Sequence, residues 1–433
     1  MTQVISDLLI ESLAYGGNGL GRHDGKVIFV PGAVPGDRIR CRVIKSKKSF
    51  AEARLEKLLQ PAVERCQPEC PVFAECGGCQ WQHIPYAAQC LWKEKIFSDL
   101  LLRQAGVDPS RVKPLVAAPE PWHYRSRAQL KLRRVDGHLV MGFYRRGSHF
   151  VIDHRHCAIL HPQLNEAAQL FRRWLNDFSH AHRIPQLDLG IGDDGQRRAV
   201  LHYLDSDSSL VGDYLRARVA EAGIALFVQT GRKDTLQPVW GEEELRIEVG
   251  DPPLQLAYGP GGFAQINLVQ NRALVGAVVE AVVGCRAERV LDLYCGMGNL
   301  SLPVARQAEE VIGVEDFAPA IDKARQNALV NGIDNATFYA LSAEGAASRL
   351  AAEGKPFDLV MLDPPRSGAY GVIKELLEFK PRHILYVSCE PPTLVRDLLP
   401  LLHGGYCLEW SQPYDLFPQT HHIESVTLLR RMG

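Results

Sequence analysis

Long hydrophobic runs are missing from this sequence. Nowhere in its 433 residues does an apolar stretch approach the ~20 residues of a membrane-spanning helix, so no membrane partner is expected. Residues 1–11 mix polar and apolar side chains with no basic stretch ahead of an apolar one, and no secretory leader is expected. Internal repeats and low-complexity linkers are also missing. With 46% hydrophobic and 23% charged residues, wholesale disorder is excluded. Net charge is lacking too: 49 Lys and Arg face 50 Asp and Glu, a balance of −1. Taken whole, that balance argues against a nucleic-acid partner. Cysteine is what the chain does have: eleven of them, an odd number in a chain too long to depend on disulfide staples. Reduced thiols with a metal or catalytic task, in a cytoplasmic setting, fit better.

The charge is not evenly spread. Residues 1–160 hold 24 Lys and Arg against 15 Asp and Glu, or +9; residues 161–433 hold 25 against 35, or −10. Arg38, Arg40, Arg42, Lys45, Lys47 and Lys48 alternate with other residues, as a strand with one basic face would. Residues 111–160 carry 10 Lys and Arg against 3 acids, interleaved with Trp122, Tyr124, Phe143 and Tyr144. Cations among aromatics suit a surface that grips phosphates and stacks bases. A solvated face beside a core is the alternative for either stretch alone. Together in one half of the chain, they point to RNA.

The chain divides into three segments. Residues 1–58 show β-rich runs at 4–11, 26–30, 38–44 and 51–58, divided by Gly16-Gly17-Asn18-Gly19, Asp24-Gly25 and the Pro/Gly-rich stretch 31–37. A small barrel of the oligonucleotide-binding kind is expected. Residues 59–250 contain a cysteine cluster, the basic segment and a mixed α/β stretch with a helix over 165–181. Residues 251–433 alternate strands (289–293, 310–315, 357–362, 383–388, 425–429) with helices (319–331, 371–377), the pattern of a doubly wound α/β sheet.

The strongest motif opens that last segment. Asp292-Leu-Tyr294-Cys-Gly296-Met-Gly298-Asn299 runs from a strand into a glycine turn, where the backbone can approach a ligand. Glu315 follows 23 residues beyond Asp292, placed to accept both ribose hydroxyls of a nucleoside cofactor. The spacing is not that of a dinucleotide fold; D-x-x-x-G-x-G resembles the first motif of S-adenosylmethionine-dependent methyltransferases. A ligand-free β–α turn is the alternative. Later, Leu362-Asp363-Pro364-Pro365 is followed by Arg366 rather than the aromatic residue usual in amino-group methyltransferases.

Residues 383–388 then end on Cys389 and run into a Pro-initiated helix. A thiol there has its thiolate favoured by the helix dipole and is placed as a nucleophile. Such a nucleophile suits carbon 5 of uracil, which attacks a methylsulfonium only after a thiolate has added at carbon 6. A base must then remove the carbon-5 proton, and His421-His422-Ile-Glu424 offers imidazoles and a carboxylate. The alternative for Cys389 is an inert small hydrophobe.

D-L-Y-C-G-x-G-N, L-D-P-P-R, Y-V-S-C-x-P and the late H-x-E together resemble the RNA (uracil-5-)-methyltransferase family. Residues 1–58 look like its TRAM domain. Cys70, Cys76, Cys79 and the distant Cys157 resemble the [4Fe-4S] site of the branch that methylates 23S ribosomal RNA. The resemblance implies a Rossmann-like methyltransferase domain, Cys389 as nucleophile and Glu424 as carbon-5 base. It places S-adenosylmethionine against Gln265, Tyr294, Gly296, Gly298, Asn299, Glu315 and Asp363. Ser342 is expected to meet the adenine. Arg125, Arg127, Lys131 and Arg133 are candidates for gripping RNA, and a monomer acting in the cytoplasm is expected.

Two points depart from that pattern or stay open. The family usually has Asn after the nucleophile, and here Glu390 stands there; an anion at that place raises the thiol pKa unless it points away or is paired. Cys66 lies close enough in sequence to Cys70, Cys76 and Cys79 for a local zinc knuckle instead of a cluster. The same chemistry on the T-loop uridine of transfer RNA is the first alternative function. A non-catalytic RNA-binding assembly factor is the second. Cys41, Cys66, Cys90, Cys285, Cys295 and Cys407 carry no assigned role.

Overall fold

The computed structural model describes residues 3–232, 235–353 and 356–432. At the amino-terminal end β1 (Val4–Leu13), β2 (Gly19–His23), β3 (Lys26–Val30), β4 (Arg38–Ser46) and β5 (Phe50–Gln60) close a barrel in the order β1-β2-β3-β5-β4. Inward-facing Ile5, Leu8, Ile10, Ile28, Val30, Ile39 and Cys41 fill it. Gly16 and Gly17 form the expected turn, and the last glycine of the stretch, Gly19, opens β2, a strand not expected from sequence. A Cβ at Gly21 would lie 2.5 Å from the Leu9 carbonyl oxygen and one at Gly19 2.8 Å from that of Ala33, so here glycine serves close backbone approach within a strand. The basic strand β4 does present Arg38, Arg40 and Arg42 outward, but acids on neighbouring strands meet them: Asp7 takes Arg38, and Glu56 takes Arg40 and Arg42.

After the cysteine-rich loop comes α1 (Tyr86–Ala105), a helix not foreseen above, stopped by left-handed Gly106. Its Ala88, Ile96, Phe97 and Leu101 pack into the core of the carboxyl-terminal sheet. The next sheet comprises β6 (Arg127–Val135), β7 (His138–Tyr144), β8 (Val151–Asp153), β9 (Gln186–Ile191), β10 (Arg197–His202), β11 (Ile224–Gln229) and β12 (Leu236–Trp240), in the order β12-β11-β10-β9-β6-β7-β8. α2 (Pro162–Asn176) and α3 (Ser209–Ala222) bury one face of it. The helix expected over 165–181 thus starts earlier, at Pro162, and ends at Asn176.

A hairpin of β13 (Leu245–Val249) and β14 (Leu254–Tyr258) straddles the boundary expected at residue 250, and both strands join the carboxyl-terminal core. There, α4 (Leu268–Cys285) precedes β15 (Arg289–Leu293), α5 (Ser301–Ala305), β16 (Glu310–Glu315), α6 (Ala318–Val330), β17 (Ala336–Ala340) and α7 (Ala343–Glu353). These are followed by β18 (Leu359–Leu362), α8 (Tyr370–Phe379), β19 (His383–Ser388), α9 (Pro391–His403), β20 (Tyr406–Tyr414) and β21 (Glu424–Arg431). The sheet order is β17-β16-β15-β18-β19-β21-β20; β21 runs antiparallel to β19, and β20 to β21. By length and composition α4 could cross a membrane, but here Leu274, Val275, Val278 and Val282 pack into the core.

Candidate active site

The strand order turns back between β15 and β18, and the crevice outside their carboxyl ends is where such sheets take ligands. The turn after β15 folds over β16, with the Tyr294 and Cys295 N–H groups donating to the Val314 carbonyl at 2.8 and 3.0 Å. Tyr294 (φ 71°), Gly296 (55°) and Gly298 (93°) are all left-handed. For tyrosine that backbone costs about 1–3 kcal/mol, a strain typical of ligand-holding turns. Glu315 ends β16, and its carboxylate accepts from the N–H groups of Gly296 (3.3 Å) and Phe317 (3.1 Å). Burial, then Asp316, pushes its pKa up. Gly296, Met297, Glu315, Phe317 and the loop 259–263 line a cleft of about 280 Å³.

The other expected cofactor residues surround this cleft unequally. Gln265 is buried just ahead of α4. Asn299 exchanges two amide hydrogen bonds with Asn271 of α4 (2.8 and 3.0 Å), which fixes the glycine turn to that helix. Ser342 is exposed and caps α7, its Oγ accepting from the Gly345 N–H at 3.2 Å; it lies two residues past Ala340, the partner of Glu315 in β17. Asp292 is fully buried, accepts the Ser301 hydroxyl, and is pushed up to about 7 by burial.

The second half of the site lies where β19 meets β21. Ser388 pairs with Ser425, whose hydroxyl donates to the Ser388 carbonyl at 3.3 Å. One step beyond that pair come Cys389 and Glu424, and the Glu424 charge is felt at the Cys389 thiol. Cys389 is half-buried at the start of α9, and Glu424 is 2% exposed. Burial, then Glu424 and Asp363, pushes the Cys389 thiol up to about 12, with Arg366 opposing. The lowering expected from the helix dipole is therefore outweighed in the free protein. Burial and then Asp363 hold Glu424 well above the ordinary carboxylate range; burial and then Glu315 push Asp363 up to about 7. Burial, reinforced by nearby cations, pushes His421 down to about 4 and His422 to about 3, so both are weak bases.

The loop carrying these groups is clamped from the amino-terminal half. Gln80 and Trp81 each donate a backbone N–H to the Gln419 carbonyl at 3.0 Å. Lys93 of α1 and Asp415 form a fully buried ion pair at 2.7 Å, and removing either partner strands the other at a cost of about 3–5 kcal/mol. From the β1–β2 turn of the barrel, the Tyr15 hydroxyl donates to Glu390 at 2.6 Å. Glu390 is therefore paired.

Cys70, Cys76, Cys79 and Cys157 come together: charge on Cys70 is felt at the other three, and Cys79 also feels Cys76 and Cys157. The Cys66 thiol lies 3.4 Å from the carbonyl of Gln82, whose side-chain oxygen accepts from the Cys70 N–H. Among the described residues, no three His, Cys, Asp or Glu side chains converge closely enough to hold one metal ion. Arg127, Lys131 and Arg133 alternate along β6 on the face opposite the helices. Arg127 reaches the Ala264 carbonyl (3.5 Å), Lys131 bonds Gln186, and Arg125 bonds the Arg127 carbonyl (2.7 Å). The Ser126 N–H and hydroxyl both donate to the Ile266 carbonyl, which joins this basic edge to the chain at Gln265.

Arg366 and Tyr15 were given no role from sequence. For Arg366 a signal existed, since it directly follows the Asp-Pro-Pro that leaves β18. For Tyr15 there was none, because 375 residues separate it from Glu390.

Known proteins match this arrangement along its length. Residues 229–432 match the tRNA (uracil-5-)-methyltransferase family, and residues 5–55 the TRAM domain. A protein of Alkalilimnicola ehrlichii named 23S rRNA (uracil(1939)-C(5))-methyltransferase is 36% identical over 98% of this chain and 96% of its own. One of Shewanella amazonensis with the same name is 37% identical over 97% and 94%. The crystal structure of Pyrococcus abyssi tRNA (uracil-54, C5)-methyltransferase in complex with S-adenosyl-L-homocysteine superposes with a TM-score of 0.78, at 25% identity, over 98% of this chain and 99% of that one.

Proposed function

The chain belongs to the tRNA (uracil-5-)-methyltransferase family of S-adenosylmethionine-dependent RNA-modifying enzymes, and from that premise we propose that it methylates carbon 5 of a uridine in 23S ribosomal RNA, in the cytoplasm. The observation that carries the chemistry is that Glu424 and Asp363 both bear on Cys389 where β19 pairs with β21. The ribosomal target rests on the names of relatives similar over nearly the whole chain. The superposition on a transfer-RNA enzyme favours the second reading, the same chemistry on transfer RNA.

S-adenosylmethionine supplies an electrophilic methyl group when bound, and Glu315, Gly296 and Asp363 fit a nucleoside sulfonium. Glu315 offers its carboxylate to the ribose. Burial first, and nearby carboxylates second, raise the pKa values of Asp363 and Glu424, and a cation bound beside them would favour their ionised forms. The basic face of β6 holds the RNA backbone while the target uridine leaves its stack, at a cost of a few kcal/mol. Cys389 gives up its proton to solvent and adds as thiolate to carbon 6; the enolate's carbon 5 then takes the methyl, the donor's methyl–sulfur bond breaks, and S-adenosyl-L-homocysteine is left. Glu424 then takes the carbon-5 proton, the 5,6 double bond re-forms and the carbon–sulfur bond breaks. A carboxylate with a raised pKa is a stronger base than imidazoles pushed down to about 3 and 4, which favours Glu424 over His421 and His422. Incubation with tritiated methyl donor and unmodified total RNA should label one 23S uridine; label in transfer RNA instead would favour the second reading.

A [4Fe-4S] cluster on Cys70, Cys76, Cys79 and Cys157 is part of the proposal. The four thiols sense one another's charge, which supports a shared site, and the likeness of their spacing to a four-cysteine cluster site favours iron–sulfur over zinc. The Gly78 N–H lies 3.4 Å from the Cys76 sulfur, a donor of the kind that stabilises ligand thiolate. Bound there, the cluster would tie the loop after the barrel to residue 157; methyl transfer needs no electron from it. Anaerobically purified protein should hold about four irons per chain and absorb broadly near ~400 nm. Stoichiometric zinc would sink this assignment.

A further inference from the structure

We infer that Tyr15 of the amino-terminal barrel is a positioning residue for the nucleophile, holding the Glu390 carboxylate away from the Cys389 thiol. This inference rests on the reading of Cys389 as the attacking group. Glu390 is the residue directly after Cys389, and its backbone is already committed: its N–H donates to Ser388 Oγ at 3.2 Å and its carbonyl accepts the Thr393 hydroxyl at 2.8 Å. What remains free is the direction of the side chain. The Tyr15 hydroxyl takes that carboxylate at 2.6 Å, the length of a charge-assisted O–H···O⁻ bond.

Tyr15 is itself held in place. The Trp81 indole N–H donates to the Gly17 carbonyl at 3.1 Å, pinning the β1–β2 turn. The Tyr15 ring stands edge-on to His421, with centroids 6.0 Å apart at 85°. Burial, then the Glu390 bond, keeps its hydroxyl protonated, so it remains a donor. The charged and titratable groups bearing on Cys389 are Glu424 from β21, Asp363 and Arg366 from the loop after β18, and Tyr15. His421 and His422 are neutral near pH 7. Glu390, the next residue along the chain, is held by the Tyr15 hydroxyl from the barrel, and an anion released beside a thiol raises the thiol pKa. The barrel then completes the catalytic site.

The test compares Tyr15→Phe, Glu390→Asn and the double variant in the full-length protein. Alkylation of Cys389 by iodoacetamide is followed by peptide-resolved mass spectrometry across pH, a readout that needs no turnover. Tyr15→Phe should slow Cys389 alkylation about tenfold at neutral pH, the equivalent of one pKa unit. Glu390→Asn should not slow it, and adding Tyr15→Phe to Glu390→Asn should change nothing further. The kcat profile should shift alkaline in Tyr15→Phe alone, with the KM for RNA unchanged. Unaltered alkylation in Tyr15→Phe would overturn the inference. So would an equal loss in both backgrounds, which would make Tyr15 a docking contact only. If Cys389→Ala kept its activity, the nucleophile assignment would fail separately, whatever the alkylation rates.

Discussion

Glu315 and Glu424 are both carboxylates with raised pKa values in one crevice, yet the fold houses them differently. Glu315, at the end of β16, is half-buried and receives two backbone N–H groups that favour its ionised form. Glu424, at the start of β21, is almost fully buried and faces Cys389 and Asp363. The first arrangement suits a group that must stay charged and still while it holds a ligand. The second suits a group that gains and loses a proton, because desolvation raises its basicity. In the proposed mechanism the parallel part of the sheet binds, and the antiparallel edge, where β21 returns beside β19, reacts.

Removing a group from the reacting edge should have the largest effect and should separate two steps. Cys389→Ala should abolish turnover while leaving S-adenosylmethionine and RNA binding within a few-fold of wild type. Glu424→Gln should also stop turnover, but after the methyl has moved, so a methylated protein–RNA adduct should survive denaturing electrophoresis. In the wild type, activity should rise with pH through the neutral range, since both the thiol and Glu424 must lose protons and both have pKa values shifted up. Normal turnover by Glu424→Gln would return the base to His421 or His422 and erase the contrast between the two glutamates.

The binding end was the more legible in the sequence. The glycine turn and Glu315 sit within one β–α–β unit, so spacing along the chain reports spacing in space. Cys389 and Glu424 depend instead on an antiparallel return; the chemistry pointed to the stretch 421–424, and the resemblance to a family picked Glu424 from it. The helix-dipole effect at Cys389 is outweighed because local position reports neither the burial of the thiol nor Glu424 and Asp363 beside it. Strand β2 was hidden because glycine marks both turns and close strand crossings. α1 and the Lys93–Asp415 pair were hidden because their partners lie more than 300 residues away. The +9 half likewise looked like one polyanion surface, but acids on the barrel pair with Arg38, Arg40 and Arg42, which leaves the face of β6 as the better candidate.

A smaller effect is expected at the binding end, and it sharpens the comparison. Glu315→Ala removes an acceptor for two ribose hydroxyls, each such charged bond contributing about 1.5–3 kcal/mol, so S-adenosylmethionine affinity by calorimetry should fall at least tenfold. Saturating cofactor should restore most of the kcat, which no cofactor concentration should do for Glu424→Gln. The sign with pH is the same at both glutamates, but the step affected differs. Acidification protonates Glu315 through its raised pKa and should weaken cofactor binding in the wild type, whereas Glu315→Gln should bind more weakly but with a flatter pH response. A cofactor affinity in Glu315→Ala equal to the wild type would show that the carboxylate closes the turn through Gly296 and Phe317 without touching the ligand, and both glutamates would then need new roles.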